Sequence, residues 1–267
     1  MPFAVNAVDA ARVYFEDDGG EGIPVAVLGG FLDPVYLVRR SPIARALHTL
    51  REEFRLVFID HRGHGRSDKP HGAEAYGMRL RVADIVGVLD ELRIERAHFV
   101  GLSWGGRLAL GIGEHAPERV LSLVVVGQHP YEIDPDGPLA RAVGEALGVS
   151  QERGIEPLVE AFEAIAGRYP EPVRDAYLAC DAAAMRAAWS AAMSEGAVSG
   201  NLSDWRVRCL ICVAADDVDF YEQARGAAAE ILGAEFVSIE GTNHLGMDTA
   251  PVDPAWPAIL RTLRGQV

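Results

Sequence analysis

Short apolar runs that alternate with helix-length segments constrain the fold of this chain more than any other feature of its sequence. The runs cover residues 25–28, 56–59 and 97–100, and each ends in a glycine-containing or polar turn. The segments between them, residues 43–53 and 80–92, carry apolar side chains at a spacing of three to four, which is typical of a helix with one buried face. This alternation predicts a parallel sheet with helices on both faces, an α/β fold.

The flanking parts of the sequence extend this sheet. Near the amino terminus, two short strands at residues 5–8 and 12–15 predict a hairpin at a sheet edge. The alternation of strands and helices continues later in the chain. It predicts helices at residues 107–114, 223–232 and 255–263 and strands at residues 121–126, 209–213 and 235–239. One sheet, interrupted once, therefore accounts for most of the chain.

The interruption has a different character from the rest of the sequence. From His129 to about Ser203 there is no strand pattern, and alanine-rich helical segments are punctuated by glycine and proline. The 267 residues are enough for one large domain with such an insertion. We therefore predict a core formed by residues 1–129 and 206–267, with a helical cap at residues 130–205.

Charge and composition exclude several classes of protein. The formal net charge of −14 repels the phosphates of nucleic acids and anionic lipids, so we expect neither nucleic acid nor membrane as a partner. The amino terminus lacks the layout of a secretory signal, and no apolar stretch reaches the roughly twenty residues of a membrane helix. We expect a cytoplasmic protein that acts on a small molecule. The oligomeric state is left open, with a homodimer as one alternative.

Two of the three cysteines, Cys209 and Cys212, have the spacing of a metal or redox pair. Both fall in the predicted strand 209–213, where residues three apart point to opposite faces. No second Cys/His pair at zinc-ligand spacing completes a site. We therefore interpret both as buried structural residues.

The most specific functional motif is Gly-Leu-Ser-Trp-Gly-Gly at residues 101–106, which directly follows the strand 97–100 and directly precedes a helix. In a G-x-S-x-G turn the serine has a strained backbone, and the flanking glycines avoid clashes that a Cβ would create. Ser103 also lies at the start of a helix, whose N–H groups and dipole stabilise negative charge. In this context the motif predicts a nucleophilic serine.

This turn and residues 58–67, Phe-Ile-Asp-His-Arg-Gly-His-Gly-Arg-Ser, resemble the α/β-hydrolase superfamily, in particular its small capped esterase, lactonase, haloperoxidase and carbon-carbon hydrolase branches. The second segment is similar to the D-x-R-G-x-G-x-S turn that the family carries after its fourth strand. The resemblance covers nearly the whole chain and implies a mostly parallel eight-stranded sheet, a helical cap and no cofactor or metal. His61 and His64, as part of this turn, are interpreted as structural residues rather than metal ligands.

A serine hydroxyl needs an imidazole to accept its proton and a carboxylate to orient that imidazole. In this fold the order is serine, acid, histidine, with each partner on a loop at the carboxyl end of a strand. His115 falls at a helix end and His129 falls where the insertion begins, whereas His244 follows the last strand. The loop 241–244 resembles the family's G-x-x-H signature. We therefore predict His244 as the proton acceptor.

The acid is expected after the strand 209–213, where the sequence is Ala-Ala-Asp-Asp-Val-Asp. Many relatives have G-x-x-D at this place, and aligning the glycine with Ala214 implies Asp217. Some relatives instead carry the acid after the preceding strand. The alternatives that remain open are therefore Asp216, Asp219, Asp134 and Asp136.

Two backbone N–H groups are expected to bind the oxyanion. One belongs to Trp104, and the resemblance places the other at Phe31, in the loop after the third strand. Relatives often have His-Gly where this chain has Gly29 and Gly30, but that difference leaves the N–H of residue 31 in place. We expect Gly30 to line the substrate site.

In the predicted cap, Met185, Trp189 and Met193 recur at i, i+4 and i+8 and form one apolar stripe. Such a stripe is more often internal packing than ligand contact, and if it does face the site, Met185 and Trp189 are the candidate substrate contacts. Arg107 is close to Ser103 in sequence, but no arginine pair is evident to hold a substrate carboxylate. An uncharged or weakly polar acyl group therefore fits best.

Together these residues predict a serine hydrolase that cleaves a small ester or lactone through Ser103, His244 and Asp217. Two alternatives keep the same three residues: hydrolysis of a carbon-carbon bond, and peracid formation as in cofactor-free haloperoxidases. A third is a ligand receptor of the same fold without turnover. The serine argues against haloalkane dehalogenases and most epoxide hydrolases of the superfamily, which use aspartate at this turn.

Overall fold

One eight-stranded sheet forms the centre of the computed structural model, which describes residues 2–248 and 254–266. The strands are β1 (Phe3–Val5), β2 (Arg12–Asp17), β3 (Ile23–Leu28), β4 (Phe54–Ile59), β5 (Ala97–Leu102), β6 (Val120–Val126), β7 (Cys209–Ala214) and β8 (Glu235–Ile239). Their order is β1-β2-β4-β3-β5-β6-β7-β8. β1 pairs with β2 and β2 with β4 in antiparallel fashion, and all other pairs are parallel. The predicted α/β fold is confirmed.

The amino-terminal hairpin starts earlier than the sequence predicted. We expected a strand at residues 5–8, but β1 ends at Val5 and residues 7–9 form the turn. Asn6 stabilises this turn, because its side-chain Oδ1 accepts a hydrogen bond of 2.8 Å from the Val8 N–H. Short polar side chains that bond to nearby backbone compete with strand pairing. Val8 is therefore left exposed beyond the end of the strand.

The helices of the described residues surround the sheet. They are α1 (Val35–Val38), α2 (Pro42–His48), α3 (Met78–Glu91), α4 (Trp104–His115), α5 (Pro138–Gly148), α6 (Ser150–Arg153), α7 (Glu156–Ala166), α8 (Glu171–Leu178), α9 (Ala182–Ser194), α10 (Tyr221–Glu230) and α11 (Trp256–Leu263). Helix α2 ends before the predicted residue 53, because the Leu50 carbonyl accepts hydrogen bonds from the N–H groups of Glu53 and Phe54 in a turn that leads into β4. In the described ranges, no helix is both long and apolar enough to cross a bilayer.

The two faces of the sheet bury separate apolar clusters, and the cysteines of β7 show the alternation between them. Cys209 packs in the cluster that contains α3, α4 and α10, and Cys212 packs in the cluster that contains α2 and α11. Both thiols are free, and burial raises the pKa of Cys209 to about 12. The prediction that the two side chains point to opposite faces is confirmed.

Helices α5 to α9, here called the cap helices, lie between β6 and β7 in the chain. They share a third apolar cluster with Phe31, Trp104 and Leu245, which belong to loops and a helix start at the carboxyl ends of the strands. The cap helices therefore lie over the edge of the sheet that carries Ser103. Division of the chain into a two-part core and a separate cap domain at residues 130–205 stays a prediction.

Candidate active site

Ser103 connects β5 to α4 in a strained turn. Its backbone has φ 46° and ψ −108°, in the region of positive φ that side chains other than glycine rarely adopt, at a cost of about 1–3 kcal/mol. A Cβ on Gly101 would lie 2.3 Å from the carbonyl oxygen of Gly105, and a Cβ on Gly105 would lie 2.4 Å from that of Leu28. Both glycines are therefore required by close backbone contacts, as the motif predicts, and the turn holds the Ser103 side chain above the sheet edge.

Three residues from three strand-end loops form one chain of hydrogen bonds. Ser103 follows β5, Asp217 follows β7 and His244 follows β8. Ser103 Oγ lies 2.8 Å from His244 Nε2, and His244 Nδ1 lies 2.7 Å from Asp217 Oδ2. Asp217 and His244 are buried, whereas Ser103 is partly exposed. The structure thus brings together the three residues that the sequence analysis proposed as nucleophile, base and acid.

The alternative acids lie elsewhere. Asp219 accepts hydrogen bonds of 3.2 and 3.3 Å from the Leu139 N–H at the start of α5, and Asp134 accepts one from the Asp136 N–H. Asp216 is exposed to solvent. Of the aspartates considered, Asp217 is the one hydrogen-bonded to His244.

The two amide groups expected to bind an oxyanion flank the serine. Trp104 opens α4, and Phe31 lies in the loop 29–33 after β3, with the two aromatic rings in edge contact at a centroid distance of 4.8 Å. Within residues 2–248 and 254–266, neither N–H donates a hydrogen bond to a protein atom. Both donors are therefore available to a ligand.

His61 and His64 hold the loop 29–33 in place. His61 Nε2 lies 3.0 Å from the carbonyl oxygen of Gly29, and His64 Nε2 lies 2.6 Å from that of Phe31. Burial lowers the pKa of His61 to about 3 and also lowers the pKa of His64. In the described part of the chain, no three His, Cys, Asp or Glu side chains are grouped as a metal site. The geometry supports the structural interpretation of both histidines.

A cavity of about 200 Å³ lies over Ser103. Its wall is mainly apolar and aromatic, with Phe31, Trp104, Val143, Phe162 and Trp189 among its side chains, and it includes Gly30. Trp189 therefore lines the cavity over Ser103, and its contact with a substrate stays a prediction. Ser103 and His244 both reach the cavity, so a bound molecule can contact the hydroxyl and the imidazole together.

The charged groups of the cavity wall are all acidic. They are Asp33, Asp134, Asp136 and Asp219, and no lysine or arginine of the described residues joins them. Arg107 is fully buried, and its guanidinium donates hydrogen bonds to the carbonyl oxygens of Tyr131 (2.9 Å) and Gly196 (3.1 Å), at the two ends of the cap segment. The Arg107 guanidinium is therefore bonded to backbone carbonyl groups and does not line the cavity.

Met185 corrects one expectation. It was a candidate substrate contact, but it is fully buried, lies outside the cavity wall, and its terminal methyl lies beside Gly63 of the core. Met193 is partly buried against the same apolar cluster. The stripe on α9 thus divides: Trp189 reaches the cavity, while Met185 joins the helix to the core.

Among the wall residues that the sequence analysis did not predict are three with polar side chains, His129, Asp33 and Tyr177. His129 is buried in the wall, with its ring 5.3 Å from that of Phe220, which in turn stacks on His244 at 4.6 Å. A signal existed, since His129 follows the carboxyl end of β6. The other two, Asp33 and Tyr177, are hydrogen-bonded although they are 144 residues apart, and no local pattern links them.

Comparison with known proteins agrees with this geometry. A family described as "alpha/beta hydrolase fold" matches residues 23–154. The chain is 33% identical over 121 residues to epoxide hydrolase 4 of Mus musculus, covering 45% of this chain and 32% of that protein. It is 32% identical over 134 residues to 3-oxoadipate enol-lactonase 1 of Acinetobacter baylyi, covering 50% and 48%. The matches thus span a third to a half of the length of these curated relatives.

A solved structure extends the similarity to the whole chain. The esterase EaEST of Exiguobacterium antarcticum superposes with a TM-score of 0.81 at 23% identity, covering 99% of this chain and 100% of that one. This likeness concerns the fold.

Proposed function

Because this chain belongs to the α/β-hydrolase superfamily, we propose that it is a serine hydrolase that cleaves a small, largely apolar carboxylic ester or lactone. The observation that carries the proposal is the hydrogen-bond chain from Ser103 Oγ through His244 to Asp217, with distances of 2.8 and 2.7 Å. A serine so arranged can lose its proton to the imidazole as it attacks a carbonyl, and the carboxylate stabilises the resulting imidazolium.

The proposed reaction has two halves. Ser103 Oγ attacks the carbonyl carbon while its proton passes to His244 Nε2, and the N–H groups of Phe31 and Trp104 bind the oxyanion. The intermediate collapses to an acyl-enzyme as the alcohol leaves with the proton from His244. Water then attacks the acyl carbon and gives a proton to His244, which passes it to Ser103 Oγ as the bond to the acyl carbon breaks, so that the acid and the free serine are released.

The residue at the turn favours this reaction over epoxide opening. Epoxide hydrolase 4 is among the similar proteins, but most epoxide hydrolases of the superfamily attack through an aspartate at the place where this chain has Ser103. A serine ether formed by epoxide opening has no carbonyl for water to attack, whereas a serine ester does. Ester or lactone cleavage is therefore the better fit.

The cavity wall supports an acyl group without a free carboxylate. Its charged side chains are acidic, and the guanidinium of Arg107 bonds to backbone carbonyls outside it. A substrate carboxylate would meet like charges at close range without a buried cation to pair with it. We expect 4-nitrophenyl butyrate to be a better substrate than the similarly sized 4-nitrophenyl hemisuccinate.

Active-site labelling tests the proposal. A fluorophosphonate should modify the peptide that contains Trp104, and Ser103→Ala should lose both the label and about 10⁶-fold in kcat. Ser203→Ala, at an exposed serine, is the matched control. Label on another residue, or ester turnover that survives Ser103→Ala, would contradict the proposal.

A substrate panel separates the alternatives that use the same residues. Lactones, simple esters and vinylogous diketones distinguish ester from carbon-carbon cleavage, and bromination with peroxide and acetate reports peracid formation. Tight binding of these compounds without turnover would instead support a receptor.

A further inference from the structure

A second cavity of about 310 Å³, here called the outer cleft, lies beside the catalytic cavity on the far side of the loop 29–33. Gly29 and Leu102, the residue before Ser103, form part of its wall. Its other apolar walls come from Leu37, Val38 and Pro42 on α1 and α2 and from Pro170, Pro172 and Val173 at the start of α8. Arg40 and Ser41 also line it, so the outer cleft is a mainly apolar space between the core and α8.

The two cavities share three wall residues, Asp33, Tyr169 and Tyr177. The Tyr177 hydroxyl donates a hydrogen bond of 2.8 Å to Asp33 Oδ1, and the Tyr169 and Tyr177 rings meet edge to face at 5.2 Å. Asp33 Oδ2 separately accepts a hydrogen bond of 2.9 Å from the Gly30 N–H. These three side chains separate the two cavities at one side of the loop 29–33, and rotation of Tyr177 would leave the hydrogen bond between Asp33 Oδ2 and the Gly30 N–H intact.

The catalytic cavity alone is small for a ligand site, which suggests that the two cavities bind one molecule together. Its volume of about 200 Å³ lies below the roughly 300–1,000 Å³ of most small-molecule sites. The outer cleft brings the combined space into that range. Since the outer cleft has mainly apolar walls and adjoins the cavity in which we propose that an ester binds at Ser103, a hydrocarbon chain attached to that ester is the occupant with matching chemistry.

We propose that the outer cleft is a second binding subsite, which takes the far end of the acyl chain of a medium-chain ester, and that Tyr177 is the gate between the two cavities. This inference rests on the proposed ester hydrolysis. A short acyl chain stays within the catalytic cavity, whereas a longer chain displaces the Tyr177 ring from Asp33 and extends past it.

Blocking the outer cleft tests the subsite. Val173→Trp and Leu37→Trp fill it from opposite walls, and neither residue lines the catalytic cavity. For each variant, kcat/KM for 4-nitrophenyl octanoate should fall about tenfold while that for the butyrate stays within about twofold. Val149→Trp, at an exposed position of the cap, is the control and should change neither value. Thermal unfolding of each variant identifies any that fails to fold. Because two variants block the outer cleft from different walls, the test still stands if one of them does not fold.

Opening the gate tests the role of Tyr177. Tyr177→Phe keeps the ring and removes the hydroxyl, so the octanoate-to-butyrate ratio of kcat/KM should rise about threefold. Val173→Trp in the same chain should abolish that rise.

The outcomes separate this proposal from the one on which it rests. If the wild-type protein hydrolyses butyrate through Ser103 but the blocking variants leave the octanoate-to-butyrate ratio unchanged, the subsite is wrong and the esterase stands. If no ester is turned over, or turnover survives Ser103→Ala, the proposed function itself fails.

Discussion

The strand-end loops of the core and the cap helices contribute to the same cavity, but they fix their side chains by different means. Strands β5, β6, β7 and β8 are parallel neighbours, so the residues that follow them meet at one edge of the sheet. Ser103, Asp217 and His244 converge for this reason. On α9, by contrast, only packing decides that Trp189 reaches the cavity while Met185 faces the core. The topology of the sheet brings the three hydrogen-bonded residues together, whereas helix packing decides which side chains line the cavity.

After the loss of about 10⁶-fold in kcat expected for Ser103→Ala, the largest effect on the core side of this comparison is that of Asp217→Asn. An amide cannot stabilise the imidazolium and favours the wrong tautomer of His244, so kcat should fall about 10⁴-fold. Asp216→Asn alters the exposed neighbouring carboxylate and should leave kcat within about threefold. Steady-state kinetics with 4-nitrophenyl butyrate measures both. A loss shared equally by the two variants would show that strand-end topology does not select one acid.

The next largest effect on kcat concerns the loop 29–33, where we expect the backbone N–H of Phe31 to bind the oxyanion. Phe31→Pro removes the N–H and should lower kcat about 10²- to 10³-fold. Phe31→Leu keeps the N–H and shortens the side chain, so it should mainly raise KM by weakening apolar contact with the substrate. Thermal melting must show both variants folded. Equal kcat in the two would contradict a role for this amide in oxyanion binding.

The difference between sheet topology and helix packing also explains which features could be predicted from the sequence. The α/β sheet and the strained turn at Ser103 were predicted, because periodicity and glycine spacing are local signals. The loop of His244 was predicted from its place after the last strand together with the resemblance to the family. The wall pair Asp33 and Tyr177 was missed, since it forms only when α8 packs over the loop after β3. Met185 was misplaced because helical spacing identifies a stripe but does not say which neighbour covers each part of it.

Two substitutions on α9 test whether the cap helices use one side chain for packing and another for the cavity wall. Met185→Ala should lower the free energy of unfolding by about 2–5 kcal/mol, since it opens a space in a fully buried position between α9 and the core. Because Met185 lies outside the cavity wall, kcat/KM for butyrate should stay within about threefold at temperatures where the variant is folded. Trp189→Ala should show the reverse pattern, with KM raised and stability less affected. Urea unfolding and kinetics on the two variants give both values, and similar results for both would mean that the stripe does not divide.

The smallest effect lies in the sheet itself, away from both parts of the cavity. His98 on β5 is buried, with Nδ1 2.7 Å from Ser122 Oγ on β6, and burial lowers its pKa to about 4 from an ordinary value near 6.5. Below about pH 6.5 the unfolded chain therefore binds a proton at this residue that the folded protein excludes, so stability falls as the pH drops towards 4. Between about pH 7.5 and 5 this residue alone should account for a loss of about 2 kcal/mol.

His98→Gln should remove that part of the decline while retaining a polar group beside Ser122. Urea unfolding of the wild-type protein and the variant at pH 7.5 and pH 5 measures the difference. Parallel losses of stability in the two proteins would mean that His98 takes up its proton in the folded sheet as readily as in the unfolded chain. A smaller loss in the variant would show that the core depends on a neutral imidazole far from Ser103, as packing and desolvation at this position require.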